Sequence, residues 1–165
     1  MQLVEFLEEV QKSLPQRIVL VAAGGTAMTL YKLKASTIDV DFTGPNRDIE
    51  LFRKAVKQVQ PGFKVDSWED GKVFSQALPP DYLEKSTLIK TLKNIELRAL
   101  SPIDIVVTKI GRLDERDADD IKACITKYKL KKKAIVSRAK SVQVAGNESV
   151  YEYNLESAIR EFFPN

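Results

Sequence analysis

Two glycines at the end of an apolar run, followed by two aspartates at alternate positions, constrain the fold of this chain more than any other feature. The apolar run Ile18–Ala22 predicts a buried strand, and Gly24-Gly25 after it predicts a tight turn into a helix. Residues 37–42 predict a second strand, which carries Asp39 and Asp41. Because side chains alternate faces along a strand, we expect these two carboxylates to project together.

This arrangement indicates a site for phosphates and divalent metal ions. Two carboxylates about 7 Å apart on one strand face can jointly hold Mg²⁺, since hard cations prefer oxygen ligands. The glycine turn offers backbone N–H groups to phosphate oxygens at the start of a helix. Thr26 follows the glycines and can either cap the helix or bind a phosphate through its hydroxyl. These are the groups that nucleotidyl transfer needs.

The absence of histidine narrows the chemistry further. The chain of 165 residues has no His and one Cys, which excludes Ser–His and Cys–His catalysis and most zinc sites. The remaining groups are carboxylates, lysines and backbone amides. Phosphoryl and nucleotidyl transfer work well with such groups when a metal ion is bound.

The motifs resemble those of the DNA polymerase β-like nucleotidyltransferase superfamily, whose signature is Gly-Gly, a spacer, and then Asp-hydrophobic-Asp. The upstream match consists of Gly24-Gly25-Thr26-Ala27, Lys34-Ala35-Ser36-Thr37 and Asp39-Val40-Asp41-Phe42. The downstream match consists of Leu100-Ser101-Pro102-Ile103-Asp104, Lys109-Ile110 and Arg116-Asp117-Ala118-Asp119-Asp120-Ile121. Within the superfamily, the strings resemble small prokaryotic members, which include abortive-infection and toxin–antitoxin nucleotidyltransferases.

The resemblance implies that Mg²⁺ or Mn²⁺ is held by Asp39, Asp41 and a third carboxylate on a neighbouring strand. Two positions compete for that third place. Glu96 fits the hydrophobic-acid-hydrophobic pattern between Ile95 and Leu97, whereas Asp66 follows the first helix after the Asp-x-Asp motif. Both stay open, as does the absence of a third acid.

The resemblance also assigns the phosphates and the nucleotide to particular residues. Gly24, Gly25 and Thr26 would contact the phosphates, and Lys109 would balance the charge of the triphosphate. Lys34 precedes the Ser-Thr pair and would also touch phosphate. Asp117 and Asp120 share one helix face, which would point toward the nucleotide. The alternatives are a solvent-facing Lys34, a Lys109 that extends to the edge of its helix, and two acids that favour a helix N-terminus.

The predicted elements form an α+β fold of the polymerase β-like type. We expect a small mixed β-sheet flanked by helices, in a single domain over 1–165 with a core at 1–100 and a helical part at 101–165. Helices are predicted over 3–14, 24–34, 46–60, 101–110, 117–130 and 133–144, and a last helix that ends at 163 begins after either Asn147 or Asn154. Strands are predicted over 18–22, 37–42, 63–68, 86–92 and 94–100, and 71–85 shows no regular pattern.

Composition and the N-terminus favour a cytoplasmic location. No apolar run approaches the roughly 20 residues that cross a bilayer, the N-terminus is acidic, and the single cysteine fits a reducing compartment. The net charge of +3 is mild, but basic residues concentrate at Lys127, Lys129, Lys131, Lys132, Lys133, Arg138 and Lys140. Such a cluster can meet nucleic-acid phosphates or form a solvated helix end.

The sequence therefore predicts an enzyme that transfers a nucleoside monophosphate from a nucleoside triphosphate, such as ATP, to a protein or RNA acceptor. By analogy it would act in a toxin–antitoxin or defence system with a cognate partner. Two other functions stay open. One is a catalytically degenerate nucleotide- or RNA-binding module with the same fold, and the other is RNA binding through residues 127–140.

Overall fold

A mixed five-stranded sheet lies at the centre of the computed structural model, which describes residues 2–35 and 39–165. In that part of the chain the strands are β1 (Ile18–Ala22), β2 (Val40–Gly44), β3 (Val65–Glu69), β4 (Lys72–Val73), β5 (Gln76–Ala77), β6 (Thr87–Thr91), β7 (Ile95–Ala99) and β8 (Gln143–Val144). The central order is β3-β2-β1-β7-β6. β1 is parallel to β7 and β2 to β3, whereas β1–β2 and β6–β7 are antiparallel. The predicted mixed sheet is confirmed.

Helices cover this sheet and make up most of the C-terminal third. The helices of the described residues are α1 (Leu3–Gln11), α2 (Gly24–Leu30), α3 (Asn46–Val59), α4 (Tyr82–Lys85), α5 (Pro102–Ile110), α6 (Glu115–Tyr128), α7 (Lys132–Lys140) and α8 (Glu148–Phe162). α3 packs on β1, β2 and β3, and α1 packs on α3. α2 packs on β2 and α5, and α5 also contacts α6, α7 and α8. The predicted α+β class follows from this arrangement.

The core joins the central strand to the helices on either side of it. β1 is buried along almost its whole length, as expected of a central strand that is an unbroken apolar run. Phe42 of β2 and Phe52 of α3 meet edge to face at 5.4 Å between ring centroids. Burying one such aromatic side chain contributes about 1.5–3 kcal/mol.

Three strand ends meet at one edge of the sheet and bring the sequence motifs together. Ala22, at the end of β1, is in register with Phe42 near the start of β2 and with Ala99 at the end of β7. The N–H of Ala23 donates to the carbonyl of Asp41 at 3.0 Å, and the N–H of Leu100 donates to the carbonyl of Ala22 at 2.9 Å. The glycine turn, the start of β2 and the start of α5 therefore share one corner.

Helix α2 is shorter than the predicted helix over 24–34. It ends at Leu30 because Lys32 takes a left-handed conformation (φ 61°). The N–H of Lys32 then donates to the carbonyl of Thr29, and that of Leu33 to the carbonyl of Met28. This pair of bonds is the Schellman ending, which usually has glycine where this chain has Lys32.

Two other stretches differ from prediction. The helix predicted over 133–144 ends at Lys140, and Gln143–Val144 instead forms β8, which pairs with β5. The irregular stretch 71–85 holds the hairpin of β4 and β5 and the short α4. Among the described helices, none has the length and apolar character that crossing a bilayer requires.

Candidate functional site

The glycine turn lies directly against the carboxylate of Asp41. Gly24 has a φ of 51°, a conformation that residues with side chains rarely adopt. A Cβ at Gly24 would lie 2.8 Å from Oδ2 of Asp41 and 3.2 Å from Cζ of Phe74. Gly24 is therefore required both by its backbone conformation and by the approach of the acid.

Thr26 fixes the strand that carries Asp41. Its hydroxyl accepts a hydrogen bond from the backbone N–H of Asp41 at 2.9 Å, and the residue is fully buried. A hydroxyl enclosed in this way does not meet a phosphate in this conformation. The structure shows this contact of Thr26 with the strand, and the phosphate contact expected from the sequence stays a prediction.

Three aspartates lie close enough to influence one another. Asp41 on β2 is only 8% exposed, and in the parallel pair of β2 and β3 it is in register with Asp66. Burial, together with the negative charges of Asp66 and Asp39, raises the pKa of Asp41 to about 6, although Lys109 and Arg112 act in the opposite direction. Asp41 is therefore an acid whose charge is poorly compensated.

Asp39 lies in the bend before β2 and not on the strand. β2 begins at Val40, so the predicted strand over 37–42 is wrong at Asp39. Residues 37 and 38 of that prediction lie outside the described residues. Asp39 is exposed, and its charge still acts on Asp41.

Glu96, the first of the two candidates for a third acid, lies away from this corner. On β7 it is in register with Val19, at the opposite end of β1 from Ala22. Its carboxylate pairs with Arg98 at 3.1 Å and with Arg17 at 3.7 Å. The placement of Glu96 as a metal ligand does not fit this geometry, because strand register and not the local triplet decides which acid reaches the corner. Asp66 is the acid beside Asp41.

Lys109, Asp117 and Asp120 form a buried ionic network. The side chain of Lys109 is 3% exposed, and its Nζ lies 2.9 Å from Oδ2 of Asp120 and 3.4 Å from Oδ1 of Asp117. Asp120 also pairs with Lys34 at 3.2 Å. Asp117 also pairs with Arg112, whose Nε and Nη2 donate to its two oxygens at 2.7 and 2.9 Å. The structure thus joins four residues selected from the sequence and adds Arg112.

Position along α6 explains why Asp117 fits this network. Asp117 is at the third position of α6, where it forms a capping box with Asp114. Burial acts to raise the pKa of Asp117, but the hydrogen bonds from Arg112 and the charges of Lys109 and Arg112 outweigh it, so its pKa lies below its usual range. The carboxylate therefore stays ionised and pairs with the side chains of Arg112 and Lys109 beside the corner.

The donor chemistry of the corner fits a hard divalent cation. Asp39, Asp41 and Asp66 offer only carboxylate oxygens, which suit Mg²⁺ and Mn²⁺. The mutual repulsion at Asp41 is what a bound cation would relieve. In the described part of the chain no three His, Cys, Asp or Glu side chains already stand in a metal-binding group. The acids are thus neighbours and not a preassembled cage.

A known protein family matches nearly the whole chain. The family model described as "Nucleotidyltransferase of unknown function (DUF6036)" matches residues 1–163. The chain belongs to this nucleotidyltransferase family. The expectation of a nucleotidyltransferase is confirmed by this match.

A solved structure shares the fold of this nucleotidyltransferase. The crystal structure of ANT(2")-Ia in complex with adenylyl-2"-tobramycin matches with a TM-score of 0.53 and 12% sequence identity, covering 96% of this chain and 98% of that one. At this identity the likeness concerns the fold alone. A search of the curated proteins found no match.

Sequence reasoning about this nucleotidyltransferase missed Arg112 and Phe74. The guanidinium of Arg112 lies over the ring of Phe74, 4.7 Å from its centroid, and the same ring faces Gly24. Arg112 follows Lys109 by three residues and precedes Asp117 by five, and this closeness in sequence could have indicated that it belongs to the network. Phe74 gave no such signal, because it lies in a stretch without periodicity.

Proposed function

We propose that this nucleotidyltransferase transfers a nucleoside monophosphate from a nucleoside triphosphate to a protein or RNA acceptor. The observation that supports this most is the contact between the glycine turn and Asp41. That contact puts backbone N–H groups next to a buried carboxylate with a second acid in register beside it. Polar groups for phosphate and for metal thus share one corner.

The residues of the corner have distinct roles in this proposal. The backbone at Gly24 and Gly25 binds phosphate oxygens, and Gly24 leaves room for Asp41 because it has no side chain. Thr26 holds Asp41 in place through its backbone N–H. Asp39, Asp41 and Asp66 would hold Mg²⁺ or Mn²⁺, which supplies stabilisation of charge on the attacking and leaving oxygens.

The ionic network sets the charge on the phosphate side of the corner. Lys109 is enclosed by Asp117 and Asp120, so its charge acts on the corner through space and also fixes the two acids. Lys34 extends the network toward the end of α2 and would contact phosphate or the nucleotide. Asp117 and Asp120 position these cations and so take part in nucleotide binding indirectly.

The reaction is an in-line substitution at the α-phosphorus. An acceptor oxygen forms a bond to the α-phosphorus, the bond to the bridging oxygen of the β-phosphate breaks, and pyrophosphate and one proton are released. The resemblance to toxin–antitoxin nucleotidyltransferases supports a cytoplasmic role in such a system with a cognate partner. ATP is the first nucleotide to test, because the solved neighbour holds an adenylylated ligand.

Incorporation of label from α-³²P nucleoside triphosphates tests the proposal. Purified protein is incubated with each of the four nucleotides and Mg²⁺ or Mn²⁺, with cell protein, total RNA or tobramycin as the acceptor. Asp41→Asn should abolish incorporation, whereas Asp119→Asn, an exposed acid on α6, should not. Nucleotide binding without incorporation would instead indicate the degenerate module.

The other alternative, RNA binding through the basic residues in 127–140, has a separate test. RNA binding that survives Asp41→Asn but falls when Lys131, Lys132 and Lys133 are changed to alanine would indicate an RNA-binding protein. These three side chains are exposed at the start of α7. Arg138, in contrast, pairs with Asp104 and Asp81 inside the molecule, so it does not belong to that surface.

A further inference from the structure

Arg112 is held between an acid and an aromatic ring at the edge of the proposed nucleotide corner. We propose that Arg112 is the cation that contacts the β- and γ-phosphates of the nucleotide and the departing pyrophosphate, and that Phe74 and Asp117 position it. This inference rests on the proposed function and assigns its phosphate-binding residue. Three sets of contacts carry it.

The first is the hydrogen-bonded pair with Asp117. Asp117 accepts from Nε and Nη2 of Arg112, which uses two of the five guanidinium N–H groups. The carboxylate is itself fixed, because it is 1% exposed and bonds to the backbone N–H of Asp114 at 3.3 Å. Arg112 therefore keeps one orientation while further N–H donors are available for an anion.

The second is the ring of Phe74. Phe74 is the first residue of the two-residue turn between β4 and β5, and it has a φ of 54°. Glycine, asparagine or aspartate is preferred at such a position. A phenylalanine in this conformation is costly, and it places the ring against both Arg112 and Gly24. Its ring also packs edge to face on Trp68, with 5.3 Å between centroids.

The third is the position of Arg112 relative to the corner. The guanidinium lies over the ring of Phe74, and Cζ of that ring is 3.2 Å from where a Cβ of Gly24 would be. Arg112 and the glycine turn therefore lie against the same side chain. The charge of Arg112 also acts on Asp41.

Accessibility separates Arg112 from Lys109. Each cation pairs with two acids, since Arg112 also lies 3.7 Å from Asp114, but the side chain of Arg112 is 47% exposed and that of Lys109 is 3% exposed. Between these two cations, only Arg112 can reach an incoming anion without rearrangement of the network. The planar guanidinium also suits two oxygens of a phosphate better than an ammonium group does.

Binding of pyrophosphate tests this assignment directly. Titration calorimetry with pyrophosphate, without metal, is performed on the wild type, Arg112→Ala and Arg116→Ala. Arg116 is the matched control, an exposed arginine four residues away on α6. Arg112→Ala should raise the Kd about 10- to 100-fold, the usual effect of losing hydrogen bonds to a charged group, and Arg116→Ala should leave it unchanged. An equal Kd for all three proteins overturns the proposal.

A second variant keeps the test valid if Arg112→Ala does not fold. Arg112→Lys retains the charge but not the planar group, so it should raise the Kd several-fold while the thermal unfolding temperature stays close to that of the wild type. An unchanged Kd in a folded Arg112→Lys protein overturns the assignment. Phe74→Leu keeps an apolar side chain without the ring and should give an intermediate rise in Kd if the ring positions the guanidinium.

Kinetics separate this inference from the proposed function. If the wild type shows no incorporation, the proposed reaction fails whatever the calorimetry shows. If the wild type is active, Arg112→Ala should lower kcat about 10²- to 10³-fold, as loss of a single charge-stabilising donor does. Wild-type kcat and KM in a folded Arg112→Ala protein would overturn the role of Arg112 and leave the reaction standing.

Discussion

Asp41 and Asp66 stand side by side on adjacent parallel strands, one residue opposite the other. Like charges in this relationship destabilise a sheet, and burial of Asp41 makes the repulsion stronger. Lys109 and Arg112 offset only part of it, since the pKa of Asp41 is still raised to about 6. An unfavourable pair at the corner of the sheet is expected where a divalent cation completes the site.

Substituting Asp66 and Glu96 separately should show which of them is the third acid of the site. Asp66→Asn should lower nucleotidyl transfer at least about 10²-fold, because it removes the charge of the carboxylate that we propose as a metal ligand beside Asp41. Glu96→Gln should stay within a few-fold of the wild type, since Glu96 pairs with Arg17 and Arg98 instead. The measurement is initial rate at saturating Mg²⁺. Loss of activity in Glu96→Gln with retention in Asp66→Asn would reverse this assignment.

Gly24→Ala should impair both folding and activity. The left-handed conformation of a residue with a Cβ costs about 1–2 kcal/mol. The added Cβ would also displace the carboxylate of Asp41, which lies 2.8 Å from its position. A misplacement of about 1 Å at a reacting centre can lower rates about 10²-fold, so transfer should fall when this carboxylate moves.

Gly146→Ala is the matched control for this substitution. Gly146 also has a positive φ, of 111°, but a Cβ there meets nothing within 4 Å. Urea unfolding should therefore show a loss of stability in both variants, whereas transfer rates should fall only in Gly24→Ala. Equal rates for the two variants would mean that the contact with Asp41 is unimportant for transfer.

The sequence predicted the elements better than the contacts between them. Ile18–Ala22 is an unbroken apolar run and could be recognised as a central strand, and Gly24 before a helical segment indicated the turn. The choice between Asp66 and Glu96 depended on strand register, and register is set by long-range packing and not by the local triplet.

The ionic network shows the same limit. Lys34 and Asp120 are 86 residues apart, and no local pattern pairs them. The downstream motif nevertheless contained Lys109, Asp117 and Asp120, so the family resemblance selected residues whose contacts only the fold reveals. Thr26 is another such case, because its motif position suggested a phosphate contact and gave no sign of its contact with the backbone of Asp41.

The buried pair of Asp104 and Arg138 should be a main source of stability in the helical part. Nε and Nη2 of Arg138 donate to the two oxygens of Asp104 at 2.6 and 2.9 Å, and Asp104 is fully buried. Asp104→Ala should lower the free energy of unfolding by about 3–5 kcal/mol, because it leaves a buried guanidinium without its buried partner. Asp81→Ala removes the more exposed partner of the same arginine and should change it by less than about 1 kcal/mol. Equal losses in urea unfolding would contradict this.

The stability of the metal-free protein should be greatest near pH 4. Asp41 has a folded pKa of about 6, above the value of about 3.9 in an unfolded chain. Its contribution is therefore fully present below the unfolded pKa and is lost as the pH rises through 6. Asp117 has a lowered folded pKa, so its contribution is present above about pH 4 and is lost as the pH falls further.

Asp41→Asn and Asp117→Asn should each remove one side of this profile. Asp41→Asn keeps the shape of the side chain without the charge, so its stability should not decline between pH 4 and 6, and at pH 7 it should exceed the wild type by about 1–3 kcal/mol while transfer activity is lost. Asp117→Asn should be less stable than the wild type at pH 7, because Arg112 and Lys109 lose a buried partner, and it should lose the steep decline below pH 4. The measurement is urea unfolding from pH 3 to 8 in the presence of a chelator. A profile of Asp41→Asn that runs parallel to the wild type from pH 4 to 6 would show that repulsion at Asp41 does not weaken the fold.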